Sequence, residues 1–165
     1  MVEPWIGSHF IYDPCRLTFS ATVAKPSNPD FNLPMGIAFA KLLLDNPRFD
    51  SIQPVEVEAL ADTGALFLCI PDHIANQLRL TESSKKEITP ADGKRQLCPY
   101  VGPIHIRLGN RECYTGAVVL GDQVLLGAVP MEDMDLVVIP SVRQVVPNPL
   151  NPNFAGGLAK NALSD

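Results

Sequence analysis

One short stretch of the chain combines residues that could carry out acid–base chemistry. Asp62, Thr63 and Gly64 lie between two largely apolar runs, residues 57–61 and 66–70. A carboxylate among apolar residues is poorly solvated, so we expect it to be hydrogen-bonded, paired or used in a reaction. Asp62 is therefore the first candidate for a functional residue.

Carboxyl groups can catalyse hydrolysis when two of them act together. Hydrolysis of a peptide bond without a metal needs one group that takes a proton from water and another that gives a proton to the carbonyl oxygen. Two carboxyl groups in contact can do both, because like charges so close cannot both ionise. The sequence contains one Asp-Thr-Gly and no Asp-Ser-Gly. Either Asp62 of two identical chains forms the acid pair, in a homodimer with a two-fold axis near Asp62, or the chain has no such pair and no such activity.

A second short element strengthens this hypothesis. Leu125, Leu126 and Gly127 form an apolar pair closed by glycine, and Pro130 and residues 132–136 (Glu-Asp-Met-Asp-Leu) follow. With the Asp-Thr-Gly triplet, these residues resemble the retropepsin-like (clan AA) aspartic peptidase family, especially its small bacterial single-domain members. The resemblance implies a mainly β fold, a retropepsin-like closed β-barrel with one or two short helices. It also implies that the Leu-Leu-Gly element supports the catalytic loop from behind.

The resemblance assigns roles to the residues of the loop. Asp62, Thr63 and Gly64 would be the catalytic residues, with the Thr63 hydroxyl bracing the loop of the other subunit and Gly64 allowing close approach of the backbone. Ala65 stands where pepsin-type enzymes carry a hydroxyl residue. Because a hydroxyl donor favours the ionised carboxylate, its absence predicts a working pH nearer neutral.

A hairpin is predicted further along the chain. Asp92-Gly93 lies between two extended arms, which is a strong signal for a tight turn. In the family this hairpin would be the flap over the substrate, although an ordinary exposed hairpin explains the residues equally well. The substrate-binding residues of flap and cleft would be Ala65, Pro90, Ala91, Asp92, Gly93 and Lys94.

Length and composition indicate one folded domain. The chain has 165 residues, of which 46% are hydrophobic and 16 are prolines, as is typical of a loop-rich β protein. We predict an unassigned N-terminal arm over residues 1–16, the peptidase domain over 17–148, and a flexible C-terminal tail over 149–165. An insertion of unknown role is expected at about residues 31–52.

Periodicity predicts most of the elements of the domain. Alternating apolar residues indicate strands at 17–24, 54–61, 104–108 and 113–120, and a terminal hairpin at 136–146. Short helices are expected after Pro71 and near Pro130. Residues 35–44 fit both a helix and a strand, and we favour a short helix. Residues 81–86 are interpreted as a polar loop.

The charge of the chain argues against a nucleic-acid partner. The net charge is −5, and the basic pairs Lys85-Lys86 and Lys94-Arg95 are interpreted as solvated loop charges. There is no apolar run of membrane-helix length and no secretion signal at the N-terminus, which predicts a cytoplasmic protein without a membrane partner.

Other chemistries find little support in the sequence. The cysteines are interpreted as free thiols in or near the core, and they are Cys15, Cys69, Cys98 and Cys113. Asp133 and Asp135 could in principle bind a metal, but acids this close together usually mark a solvated helix end. We therefore expect no metal and no cofactor.

Two functions remain at this point. The first is an aspartic endopeptidase that hydrolyses peptide bonds at a pair of Asp62 side chains. The alternative is a homodimeric module with the same fold that binds or assembles peptides without cleaving them. A complete Asp-Thr-Gly favours the enzyme, since a pure binding protein has no need of a buried acid pair.

Overall fold

The chain folds into short strands that present alternate residues to a shared interior. The structure is a computed structural model, and it describes residues 36–90 and 93–157. The strands of the described part are β1 Phe39–Asp45, β2 Val55–Ala61, β3 Leu68–Ile70, β4 Thr81–Ile88, β5 Gln96–Leu108, β6 Arg111–Val119, β7 Val124–Leu126, β8 Leu136–Ile139 and β9 Gln144–Pro147. Its helices are α1 Asp72–Gln77 and α2 Ala128–Asp133.

Six of these strands close into a barrel. Going round the ring, β1 pairs with β2, β2 with β7, β7 with β3, β3 with β6, and β6 with β5. The ring closes where β5 pairs with β1, for example at Leu44 and Ile106. β4 extends the sheet beyond β5, and β9 and β8 extend it beyond β1. The predicted mainly β fold, a closed barrel with two short helices, is confirmed.

The interior of the barrel is filled by aliphatic side chains. Those almost completely removed from solvent include Leu42, Leu44, Leu68, Ile104, Ile106 and Leu126. Burial of each such side chain contributes about 1.5–3 kcal/mol. A second, smaller cluster joins the hairpin of β4 and β5 to the segment after the Asp-Thr-Gly triplet. Its members are Cys69, Cys98 and Val118, with Phe67, Ile88, Tyr100, Leu120 and Leu125 packed against them.

The helix predicted over residues 35–44 is wrong. Residues 39–45 form β1, whose alternate residues Ala40, Leu42 and Leu44 are buried. β1 pairs with β2, β5 and β9, so this part of the predicted insertion is an integral strand of the barrel. The helical interpretation failed because Ile37, Lys41 and Leu44 also match a helical spacing.

The polar loop predicted over residues 81–86 is also wrong. These residues belong to β4, which pairs along its length with β5. β4 is a mostly exposed edge strand, so it carries no alternation of apolar and polar residues. Its extended conformation comes from backbone pairing with β5, a tertiary contact that a local pattern does not reveal.

Several other predicted elements are confirmed. β2 has one solvent-exposed face, β5 and β6 are joined by a turn at Gly109-Asn110, and β8 and β9 form the terminal hairpin. Short helices follow Pro71 and Gly127. The strand predicted at residues 17–24 and the N-terminal arm lie outside the described residues.

The segment that follows β9 is hydrogen-bonded to the body of the domain. The carboxylate of Asp135 accepts hydrogen bonds from the side-chain amides of Asn148 (2.9 Å) and Asn151 (2.6 Å) and from the backbone N–H of Gly156 (2.8 Å). Arg111, which is buried, donates to the carbonyl of Asn151. Residues 148–156, most of which were predicted to belong to a flexible tail, thus make polar contacts with the domain.

Candidate active site

Asp62 lies directly after β2, in a loop anchored to neighbouring strands. The backbone N–H of Asp62 donates to the carbonyl of Leu126 on β7 (3.1 Å). One residue earlier, the N–H of Ala61 donates to the carbonyl of Ala38 (2.9 Å), and the N–H of Ala65 closes the loop by donating to the carbonyl of Asp62 (3.1 Å). The barrel therefore fixes the start of the loop on two sides.

The loop itself orients the Asp62 carboxylate. The side chain is half-buried, and its Oδ1 accepts a hydrogen bond from the N–H of Gly64 (2.9 Å). A Cβ atom on residue 64 would lie 3.1 Å from the same oxygen, so glycine leaves room for this contact. Oδ2 has no hydrogen-bond partner among the described residues. Thr63 and Gly64 are exposed, and the loop thus lies at the surface of the protomer.

The Leu-Leu-Gly element lies immediately behind the loop. β7 runs between β2 and β3, with Leu125 paired to Leu60 and to Cys69. A Cβ atom on Gly127 would lie 2.3 Å from the carbonyl oxygen of Phe67, so only glycine fits at this position. The structure therefore brings the two predicted segments together, with Leu126 holding Asp62 through its carbonyl.

An apolar surface adjoins the loop. Leu66 is 56% exposed and Val129, at the start of α2, is 40% exposed. The two residues are linked by a hydrogen bond from the N–H of Val129 to the carbonyl of Leu66 (3.0 Å). Apolar side chains exposed next to one another are typical of an interaction surface.

The predicted hairpin is present, although its tip is only partly described. β4 and β5 pair as far as Ile88 and Gln96, and the N–H of Gly93 donates to the carbonyl of Pro90 (2.9 Å) across the turn. Gly93 has a φ of +75°, a conformation that favours glycine. Ala91 and Asp92 lie outside the described residues, and Lys94 follows the turn.

Sequence reasoning missed a group of residues between the hairpin and the loop. Phe67 and Tyr100 make an edge-to-face contact with ring centroids 5.7 Å apart. The Lys86 ammonium lies over both rings, 5.4 Å from the centroid of Phe67 and 4.9 Å from that of Tyr100. Lys86 is half-buried on β4, so its interpretation as a solvated loop charge is wrong. No local pattern could have revealed this group, because its members come from three separate segments.

The described cysteines are buried free thiols. Burial, with the nearby charge of Asp62 and then the Cys98 thiol, raises the pKa of Cys69 to about 11. Burial, with the charge of Asp133, raises the pKa of Cys113 to about 12. Both therefore stay protonated at neutral pH, which makes them poor nucleophiles.

The described part of the chain contains neither a candidate metal site nor a candidate membrane-spanning helix. Within residues 36–90 and 93–157, no three His, Cys, Asp or Glu side chains are grouped so as to hold a metal ion. No helix in the same part of the chain is long and apolar enough to cross a membrane.

Two solved structures are similar to this chain. One is the EIAV protease in complex with the inhibitor HBY-793, at 17% identity and a TM-score of 0.46 over 66% of this chain and 97% of that chain. The other is the retroviral protease-like domain of Ddi1 from Leishmania major, at 11% identity and a TM-score of 0.46 over 78% of this chain and 100% of that chain. No protein-family profile and no curated protein matches the chain.

Proposed function

We propose that the protein is an aspartic endopeptidase that acts as a homodimer, with Asp62 of each subunit at the reaction centre. The observation that carries the proposal is the state of Asp62. One carboxylate oxygen is fixed by the Gly64 N–H at 2.9 Å, while the other has no partner among the described residues, in a loop exposed at the surface. Such a carboxylate is oriented by its own subunit yet open to a second one.

The chemistry follows from two such carboxyl groups in contact. The ionised Asp62 takes a proton from a water molecule, whose oxygen attacks the carbonyl carbon of the peptide. The protonated Asp62 gives its proton to the carbonyl oxygen. When the resulting tetrahedral intermediate collapses, the carbon–nitrogen bond breaks and the leaving amine takes the proton from the Asp62 that deprotonated the water. The other Asp62 takes back a proton from a hydroxyl of the intermediate as the carbonyl of the new carboxyl group forms. The acid pair ends with one proton, as it began.

The surroundings of the loop support a two-fold assembly. A two-fold interface uses the same patch on both subunits, which suits an exposed loop beside the apolar surface of Leu66 and Val129. Thr63 is exposed, which is consistent with a contact between its hydroxyl and the loop of the other subunit. Peptide substrate would lie between Ala65 and the hairpin of β4 and β5, near Pro90, Gly93 and Lys94.

A cleavage assay tests the role of Asp62. We expect the wild-type protein to cleave an unfolded protein or a peptide library. Asp62→Asn should lower kcat/KM about 10³-fold, since loss of an essential acid–base group typically costs roughly 10²–10⁴-fold. Pepstatin should inhibit the wild type. Asp50→Asn is the matched control, since Asp50 is an exposed acid in the turn between β1 and β2.

The same assay distinguishes the proposed peptidase from a protein that binds peptides without cleaving them. Undiminished cleavage by Asp62→Asn would remove Asp62 from the mechanism. If neither protein cleaves but both bind peptides, the chain is a non-cleaving peptide-binding module on the same fold.

A further inference from the structure

We propose that Lys86 selects substrates with an acidic side chain, Asp or Glu, at the position that packs against Phe67 and Tyr100. The inference rests on the proposed function, because it assumes that a peptide lies between the hairpin and the Asp62 loop. It adds a preference that the Asp-Thr-Gly triplet does not determine.

The two rings form a fixed platform beside the loop, which we call the aromatic platform. Phe67 lies five residues after Asp62 and packs in the cluster that contains Leu125 and Cys69. Tyr100 lies on Gly116, where a Cβ atom would come within 2.5 Å of the ring. The backbone at Gly116 therefore packs against the ring of Tyr100 on one side, and Lys86 of β4 lies over the ring.

Lys86 is held above this platform by its place on β4. Residues alternate between the faces of a strand, and Lys86 and Ile88 are half-buried while Lys85 and Glu87 are exposed. Ile88 belongs to the same cluster as Phe67. The Lys86 side chain therefore lies on the face of the hairpin that is turned toward the loop.

The ammonium of Lys86 lacks an acidic partner in the described part of the chain. No carboxylate there forms an ion pair with it, and Glu87 pairs instead with Arg95 at 3.1 Å on the exposed face. Contact with aromatic faces stabilises a cation by only about 0.5–2 kcal/mol and uses none of its hydrogen-bonding capacity. A half-buried cation of this kind favours a ligand that supplies a carboxylate.

The test compares pairs of peptides that differ only by Glu or Gln at one position near the scissile bond. For the wild type we expect kcat/KM for Glu to exceed that for Gln by about fivefold at one position, the equivalent of one moderately strong ion pair. Lys86→Met should reduce this ratio to about one, Lys86→Glu should invert it, and Lys86→Arg should keep it. Lys85→Met, on the opposite face of β4, is the matched control and should keep it too.

Added salt should weaken the wild-type preference, since screening acts on the ion pair. If Lys86→Met lowers kcat/KM for both peptides equally, Lys86 only ties the hairpin to the platform and the inference is wrong. A wild type with no preference for Glu at any position would overturn it as well.

Binding of the same peptides to Asp62→Asn, measured as Kd, distinguishes this inference from the proposed function. If the wild type does not cleave but Asp62→Asn binds Glu peptides more tightly and loses the preference with Lys86→Met, the inference holds and the peptidase proposal fails. Equal binding of Glu and Gln peptides would refute the inference even if cleavage is observed.

Discussion

At the scale of single residues, the close contact between Gly127 and the loop predicts that a larger side chain at this position destabilises the fold. An added methyl group would lie 2.3 Å from the carbonyl oxygen of Phe67 and 2.8 Å from that of Ala65. Gly127→Ala must therefore displace backbone, and we expect it to lower the free energy of unfolding by at least about 1–3 kcal/mol, the usual effect of overpacking. Urea denaturation measures this change.

Gly157→Ala is the matched control for this substitution, because a methyl group there meets no atom within 4 Å. It should leave the free energy of unfolding within about 0.5 kcal/mol of the wild type. Equal stability of both variants would show that the loop yields easily at Gly127.

The residue after Gly64 should influence the pH dependence of cleavage. Ala65 offers no hydroxyl to the carboxylates, so we expect activity close to neutral pH. Ala65→Ser would add a donor that favours the ionised form, and the acidic limb of the pH–rate profile should move to lower pH. An optimum at strongly acid pH for the wild type would contradict the role given to this position.

Asp62 was predicted from its apolar neighbours in the sequence, and the Leu-Leu-Gly element behind it from the resemblance to the retropepsin-like family. A carboxylate in an apolar run and a glycine after two leucines are visible without coordinates. Lys86 was not predicted, since its environment is created by Phe67 and Tyr100 from distant segments. Tertiary contacts of this kind leave no periodic signal.

At the scale of elements, Asp135 links β8 to the segment after β9. The backbone N–H of Gly156 and the amides of Asn148 and Asn151, with the charge of Arg111, hold the pKa of Asp135 below its usual value. Its contribution to stability is therefore fully present above the unfolded-state value of about 3.9 and is lost as the pH falls through the lower folded-state value.

We accordingly expect Asp135→Asn to lower the Tm at neutral pH. The difference in Tm from the wild type should shrink as the pH falls below about 3.9, where the carboxylate of the unfolded chain becomes protonated, and should be smallest below the lowered pKa of the folded state. Asp50→Asn should show no such difference at neutral pH, because Asp50 forms no hydrogen bond within the described residues. A difference for Asp135→Asn that stays constant down to pH 2 would indicate a purely steric effect.

Long strands built from alternating apolar residues were predicted, whereas β4, which has no such pattern, was not. β5 and β6 show their buried faces in the sequence, whereas β4 is exposed along most of its length. In β1 the small residue Ala40 contributes little to the alternation of apolar residues. The strand conformation of β1 follows from its pairing with β2 and β5.

At the scale of the whole molecule, the proposed acid pair requires two chains. We expect twice the chain mass at micromolar concentration in analytical ultracentrifugation. Leu66→Lys would place a charge on the apolar surface beside the loop, and it should shift the protein to the monomer and reduce cleavage in proportion. Leu97→Lys, a similar change at a 65% exposed leucine on the hairpin, should leave the mass unchanged.

A wild type that remains monomeric at every concentration would deprive the proposal of its second carboxyl group. A dimer that persists in Leu66→Lys would place the interface elsewhere on the protomer.

The three partners of β1 also constrain the order in which the barrel is assembled. Its antiparallel partner β2 follows at once, but β5 and β9 come much later, and Phe39 pairs with Gln144. During synthesis the barrel cannot close until β7 has left the ribosome, because β7 is the last of its six strands. β9, which extends the sheet beyond β1, is synthesised later still. Contacts between such distant segments are typical of slow-folding proteins. The nascent chain therefore exposes the apolar face of β1 until its later partners have been synthesised, and partly folded chains that expose apolar surface are prone to aggregation.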